Sequence, residues 1–215
     1  MNKGPNLHGK TLRLSDAATH AATVYGAIED LCSNVWVAGS IRRGKPQTAD
    51  ADLVCVPHER RNLLARLDRL VIEEKLKKAI KSDGKTLWGD RMRSFSVDGF
   101  KVELFIANPD NAGYILWLRT GPGTANQFAV SYARQKACNI KLEDGYVLRN
   151  GSRVSVPDEA LMFRLLRMPY IKPAERSEQT YRHMMQMYSK ALPPVANADL
   201  TFVDAPPVPV QRAMF

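Results

Sequence analysis

The chain has 215 residues, 45% of them hydrophobic and 25% charged, with a formal net charge of +9 and a sequence pI near 9.6. No apolar run approaches the length needed to cross a bilayer, and Met1-Asn2-Lys3-Gly4-Pro5 opens without the apolar core of a secretory signal. A cytoplasmic protein with no membrane partner is therefore expected. The positive balance calls for a polyanionic partner. The basic residues are scattered through hairpins and short helices rather than gathered on one long amphipathic helix, which favours nucleic acid over an anionic membrane surface.

Residues 1–13 are basic and irregular. Ser15-Asp16 is a helix start, followed by Val24, Ile28 and Leu31 at helical spacing. Residues 35–38 form a short, apolar, β-branched strand that ends at Gly39-Ser40. A glycine there lets a phosphate approach the backbone, a following helical turn offers free N–H groups, and Arg42 and Arg43 add positive charge. Asp50 and Asp52 then open a second strand that runs to Pro57. Residues i and i+2 of a strand share a face, so these carboxylates repel unless a cation lies between them. Hard divalent cations take oxygen ligands of this kind. Residues 59–71 read as a helix with Leu63, Leu64, Leu67 and Leu70 on one face.

Residues 76–81 are a weak strand candidate, and residues 86–97 alternate loosely around Arg91 and Arg93. Asp98-Gly99 is a two-residue hairpin signal, and residues 100–107 form the returning strand. Glu103 lies mid-strand among apolar neighbours, where an unpaired carboxylate is costly. Its partner is Lys101, an arginine, or a metal shared with Asp50 and Asp52, and the Asp-x-Asp upstream favours the metal. A second unit starts near Asn108-Pro109-Asp110 and contains a short apolar helix at 114–118, a Thr120-Gly121-Pro122-Gly123 break and a helix at 126–136. Hairpins turn at Asp144-Gly145 and Asn150-Gly151. A helix begins at Pro157-Asp158-Glu159, an extended segment covers 170–178, and a last helix covers 178–190. From Pro193 the prolines recur and charges thin out, as in a flexible tail. Cys32, Cys55 and Cys138 are widely spaced and read as reduced residues in or near a core.

Taken singly, a Gly-Ser pair, two adjacent arginines and an Asp-x-Asp each have an ordinary explanation. In this order, between two apolar strands, they resemble the signature of the nucleotidyltransferase superfamily, and the Arg-Arg-Gly version resembles the X-family DNA polymerases over roughly residues 20–185. The resemblance implies an α+β fold: a palm with a mixed sheet flanked by helices (residues 1–107), a small nucleotide-selecting α/β subdomain (108–192), and the tail (193–215). It places Asp50, Asp52 and Glu103 at the three catalytic, metal-binding carboxylates, although most members carry aspartate at the third. It places Gly39, Ser40 and Arg43 at the triphosphate, and Thr120, Gly121 and Asn126 beside the incoming sugar and base. The turn at Gly121-Pro122 would hold a cis bond. Leu118-Arg119 stands where many members have a Tyr-Phe pair, with both residues lining the sugar pocket. Residues 170–178 resemble the family's Tyr-x-x-Pro-x-x-Arg-Ser-Glu segment.

The implied cofactor is Mg2+, two ions per site, with Mn2+ able to substitute. The implied partners are primer-template or gapped DNA and deoxynucleoside triphosphates. Arg91, Arg93 and Lys101 would steady the primer strand. The family's lyase domain and helix-hairpin-helix motifs are not recognisable, so the pattern is that of the minimal viral members, acting as monomers, in a host cell if the source is viral or phage. The expected activity is DNA-directed DNA synthesis in short-gap repair. A template-independent nucleotidyltransferase acting on DNA or RNA ends is the alternative, and a palm that only binds nucleic acid is a third.

Overall fold

The computed structural model describes residues 10–135, 140–188 and 192–203. In chain order its regular elements begin with β1 (Leu12–Arg13), α1 (Leu14–Gly26), β2 (Cys32–Val37), α2 (Gly39–Arg42), β3 (Gln47–Thr48) and β4 (Asp50–Pro57). There follow α3 (Arg60–Ile72), β5 (Lys77–Lys78), β6 (Met92–Val97), β7 (Phe100–Ile106), α4 (Ala112–Thr120) and α5 (Gly123–Gln135). The chain continues through β8 (Ile140–Glu143), β9 (Tyr146–Arg149), β10 (Ser152–Val154), α6 (Glu159–Leu165), α7 (Glu178–Tyr188) and β11 (Phe202–Val203).

The fold is mixed α+β. A five-stranded sheet runs β2-β4-β7-β6-β5, with β4 and β7 parallel and the other pairs antiparallel. Its two faces follow from side-chain alternation. Ala51, Leu53 and Cys55 of β4, with Val102, Leu104 and Ile106 of β7, bury against α1 and α3 through Ala17, Ala21, Val24, Leu63 and Leu67. The opposite face carries Asp50, Asp52, Val54 and Val56 beside Lys101, Glu103 and Phe105. Its far end is covered by Ala112 and Leu116 of α4. Asp50, Asp52 and Glu103, at the other end, stay partly exposed.

The β6–β7 hairpin turns at Asp98-Gly99 with φ of 50° and 78°. Two positive φ values give the twist that matches a two-residue hairpin, and they fix its register as Val97↔Phe100. The turns expected at Asp144-Gly145 and Asn150-Gly151 close β8–β9 and β9–β10. These strands and β11 form a second, antiparallel sheet ordered β11-β10-β9-β8. Its core joins Trp117, Phe163, Tyr181 and Met185 from the surrounding helices. The side chain of Asp158 caps α6 by accepting from the Leu161 N–H at 2.9 Å.

Three expectations need correction. The strand expected over 76–81 shrinks to Lys77–Lys78 plus a bridge between Ile80 and Thr86. The Gly121-Pro122 bond is trans, as are all peptide bonds among the described residues, and Gly121 is simply extended at φ −71°, ψ 154°. Part of the stretch read as a flexible tail is built into the fold: Leu200 is buried, and Phe202–Val203 pair with β10. Leu200, with Val195 packed against the same core, supplies the apolar contacts that the proline-rich composition obscured. Residues 204–215 and Cys138 lie outside the described residues.

Candidate active site

The parallel pairing of β4 with β7 sets the site. Its register places Asp50 opposite Lys101 and Asp52 opposite Glu103, all on the face that α4 leaves open. Lys101 Nζ lies 3.0 Å from Asp50 Oδ2 and 3.1 Å from Glu103 Oε1, so one ammonium ties the outer two carboxylates together. Burial works against the Lys101 charge, but its hydrogen bonds to Asp50 and Glu103 outweigh it and raise its pKa. Asp52 has the opposite problem. Burial first, then the charges of Asp50 and Glu103, push its pKa up to about 7, against a weaker pull from Arg119 and Lys101.

Gly39 makes this placement of Asp52 possible. It has φ +60°, and a Cβ on it would come within 2.0 Å of Asp52 Oδ2. Only glycine fits both that backbone conformation and that approach. Next to it, the Ser40 hydroxyl bonds to the Thr48 hydroxyl, which donates to the Asp50 carbonyl at 2.6 Å. Since Thr48 has one proton, Ser40 is the donor in this chain of bonds. Thr48 therefore belongs to the site, although nothing in its local sequence marks it.

The arginines that follow reach across to α4. Arg42 Nη1 donates to Thr120 Oγ1 at 2.7 Å, and Arg43 Nη1 donates to the Thr120 carbonyl. Arg42 Nη2 also donates to Glu159 Oε2 at 2.7 Å, and Arg176 Nη1 donates to Glu159 Oε1 at 2.7 Å. Glu159 and Arg176 are both buried, so this carboxylate balances two guanidiniums in the interior. Burial lowers the pKa of Arg43, with Asp52 and Asp50 acting to raise it. Asn126 is buried and its Nδ2 donates to the Leu118 carbonyl at 2.8 Å, closing the C-terminal end of α4. Gly121 is held against it: a Cβ there would meet Asn126 Oδ1 at 2.5 Å.

The fold thus brings Gly39, Asp50, Asp52, Lys101 and Glu103 together, and ties Arg43 to Thr120 at the end of α4. Thr120 and Asn126 are committed to buried hydrogen bonds there. Leu118 instead faces a separate cleft beside Arg119, whose guanidinium lies 3.8 Å over the Phe105 ring.

Of the residues expected at a primer strand, Lys101 lies among the carboxylates. Arg91 is exposed and bonds Asp144 Oδ1 at 3.0 Å. Arg93 does not reach the open face. It is 4% exposed and bonds Asp68 Oδ1 at 2.8 Å and the Leu64 carbonyl at 3.1 Å. The reason is alternation: Arg93 pairs with Leu104, so it points to the helix-covered side, while Ser94 pairs with Glu103. Ser94 and Ser96 instead floor a cleft of about 340 Å³ that opens beside Asp50, Lys101 and Glu103. Sequence reading also missed Arg60, which bonds the Asp90 and Ala107 carbonyls and Asn108 Oδ1.

Among the described residues, no three His, Cys, Asp or Glu side chains are arranged as a ready metal cage. The donor set nonetheless fits a hard cation. Three oxygen-ligand side chains share one face, and burial together with the Asp50 and Glu103 charges outweighs the pull of Arg119 and Lys101 on Asp52. No protein-family model matches the chain, and no curated protein matches it.

Proposed function

We propose that the chain is a nucleotidyltransferase, and specifically a DNA-directed DNA polymerase similar to the X family, adding deoxynucleotides to a primer 3′-hydroxyl during short-gap filling. The observation that carries this reading is the pairing of Asp52 with Glu103 across β4 and β7, which sets three carboxylates on one open face beside Gly39. Asp50, Asp52 and Glu103 would hold divalent cations, Mg2+ or Mn2+. When bound, such ions stabilise charge in phosphoryl transfer and make a hydroxyl easier to deprotonate.

The chain's own residues do the positioning. Gly39 leaves room for the Asp52 carboxylate, and the Ser40–Thr48–Asp50 chain of hydrogen bonds fixes the loop that carries it. Lys101 holds Asp50 and Glu103 at a common point and offsets part of the repulsion within the cluster. Arg42 and Arg43 lock that loop to Thr120, so the strand-turn-strand and the end of α4 are presented as one surface.

A template-independent activity on DNA or RNA ends is the second reading. The observation in its favour is Arg119, which lies over Phe105 and, with Leu118, stands where many X-family members carry a Tyr-Phe pair. Primer extension with and without a template strand, in Mg2+ and in Mn2+, tests both. Template-directed addition supports the polymerase, addition without template supports the second reading, and no addition under any condition removes both.

A further inference from the structure

A second cleft of about 530 Å³ lies on the same side of the sheet as the carboxylates, between the edge of β6–β7, α4 and the β8–β9 turn. That volume is in the range of a site for one small ligand rather than a duplex. Phe105 links it to the carboxylate cluster, two residues beyond Glu103 on the same face of β7, roughly 7 Å along the strand. Four arginines line it against two aspartates.

Two of those arginines are set in the same manner. Arg119 lies over Phe105, its Cζ 3.8 Å from the ring centroid, and Arg153 lies over Tyr146 at 4.3 Å. A guanidinium held on a ring keeps its in-plane donors and its outer face for a ligand. Arg119 makes no hydrogen bond or ion pair among the described residues. One terminal nitrogen of Arg153, Nη1, is buried without a partner. Asp144 is shared between Arg91 at 3.0 Å and Arg153 at 3.8 Å, so it cannot neutralise both. Planar cations with free donors suit phosphate oxygens, and their exposed faces suit stacked bases.

We infer that this cleft binds an unpaired nucleic-acid strand leaving the carboxylate site, one nucleotide seated on Arg119 with its phosphates at Arg91 and Arg153. This rests on the nucleic-acid reading above and adds a site to it. A strand fits better than a free nucleotide, because the cleft adjoins the carboxylate face through Phe105 and Arg91 extends its charge outward, 69% exposed.

The test is fluorescence anisotropy with the full chain, at one ionic strength, using a labelled hairpin duplex that is blunt or carries a single-stranded 5′ overhang. The overhang should tighten binding about tenfold, in line with base stacking on such surfaces. Arg119→Gln together with Arg91→Gln should bring the overhang-to-blunt ratio back to near one, and Arg119→Lys, which keeps the charge but not the plane, should recover part of it. A ratio of one in the parent chain, or a ratio unchanged in the double variant, overturns the inference. So does loss of the ratio on adding a free deoxynucleoside monophosphate at a concentration that leaves blunt-duplex binding unaffected, which assigns the cleft to free nucleotides. Primer extension on the same preparation keeps the two readings apart. Extension with a ratio of one removes only the strand site, and an intact ratio without any extension removes only the polymerase.

Discussion

Gly39 and Asp52 are packed so closely that a single methyl group on the glycine would come within 2.0 Å of a carboxylate oxygen. The contact joins the turn after β2 to the strand that carries two of the three carboxylates. Gly39→Ala has to strain a φ of +60° and move Asp52 as well. The backbone cost is about 1–3 kcal/mol, measurable as a lower urea midpoint. The proposed nucleotide addition should fall far more than the stability does, because the displaced group is a carboxylate of the candidate site. A variant with a lowered midpoint and the parent rate would show that the position of Asp52 is unimportant.

Asp52 also predicts an unusual pH dependence. Its pKa stands at about 7 when folded, against 3.8 for a free aspartate. The stability linked to it is therefore complete below the unfolded value and is lost as pH rises through about 7, the reverse of a salt-bridged aspartate. Asp52→Asn has no such loss. In chelator the two proteins should melt together near about pH 4 and separate progressively to about pH 7, the asparagine form being more stable by a few kcal/mol. A melting difference that stays constant over that range would show that Asp52 ionises normally.

The same alternation rule explains what the sequence made legible and what was misread. Asp50, Asp52 and Glu103 could be placed because each sits in a short strand whose apolar neighbours declare the buried face. Applied one strand further, with the Asp98-Gly99 turn fixing the register, the rule would have turned Arg93 inward opposite Leu104. The Lys101 bridge was harder to read, since it depends on β4 and β7 lying side by side in parallel, a pairing with no local signature. Glu159 and Arg176 come from separate segments, and their charge was a reason to expect exposure; burial makes sense only once Arg42 arrives from α2. At Gly121, proximity to Asn126 rather than a cis bond explains the glycine.

Arg93→Ala should destabilise the chain without weakening the DNA binding proposed for it. The change removes hydrogen bonds to Asp68 and Leu64 and a cation–π contact with Trp88, at a cost of about 1.5–3 kcal/mol. The Asp68 side chain is half exposed and stays solvated afterwards, so the cost should not rise further. Urea unfolding gives the stability, and anisotropy at a temperature where the variant is folded gives the affinity. Weakened DNA binding by a fully folded variant would return Arg93 to the interface.

Glu159→Ala should be among the most damaging single changes outside the carboxylate cluster. It leaves Arg176, 3% exposed, without its counter-charge and frees Arg42 from its hold on α6. Breaking a buried pair in this way costs about 3–5 kcal/mol. Replacing Glu159 and Arg176 together by apolar residues should recover much of the loss, because no uncompensated charge then remains inside. A double variant as unstable as Glu159→Ala would mean that packing, not charge, is what Glu159 supplies.

The final prediction concerns Lys101, which competes for the space a cation would take. Its ammonium sits at 3.0 Å from Asp50 and 3.1 Å from Glu103. Removing it in Lys101→Ala should lower stability in chelator, because the carboxylates then face each other unscreened. The pair is more than a third exposed, so the loss should be about 1 kcal/mol, or roughly 2–4 °C in melting temperature for a chain of this size. Adding Mn2+ should reverse the order. A cation entering the variant no longer displaces an ammonium, so its stabilisation by Mn2+ should exceed that of the parent at every concentration below saturation. Asp50→Asn in the same background should shrink the Mn2+ response, which separates ligand loss from a general salt effect. Equal Mn2+ shifts in the parent and Lys101→Ala would show that lysine and metal do not share the site, and that the carboxylates are held together for some other purpose.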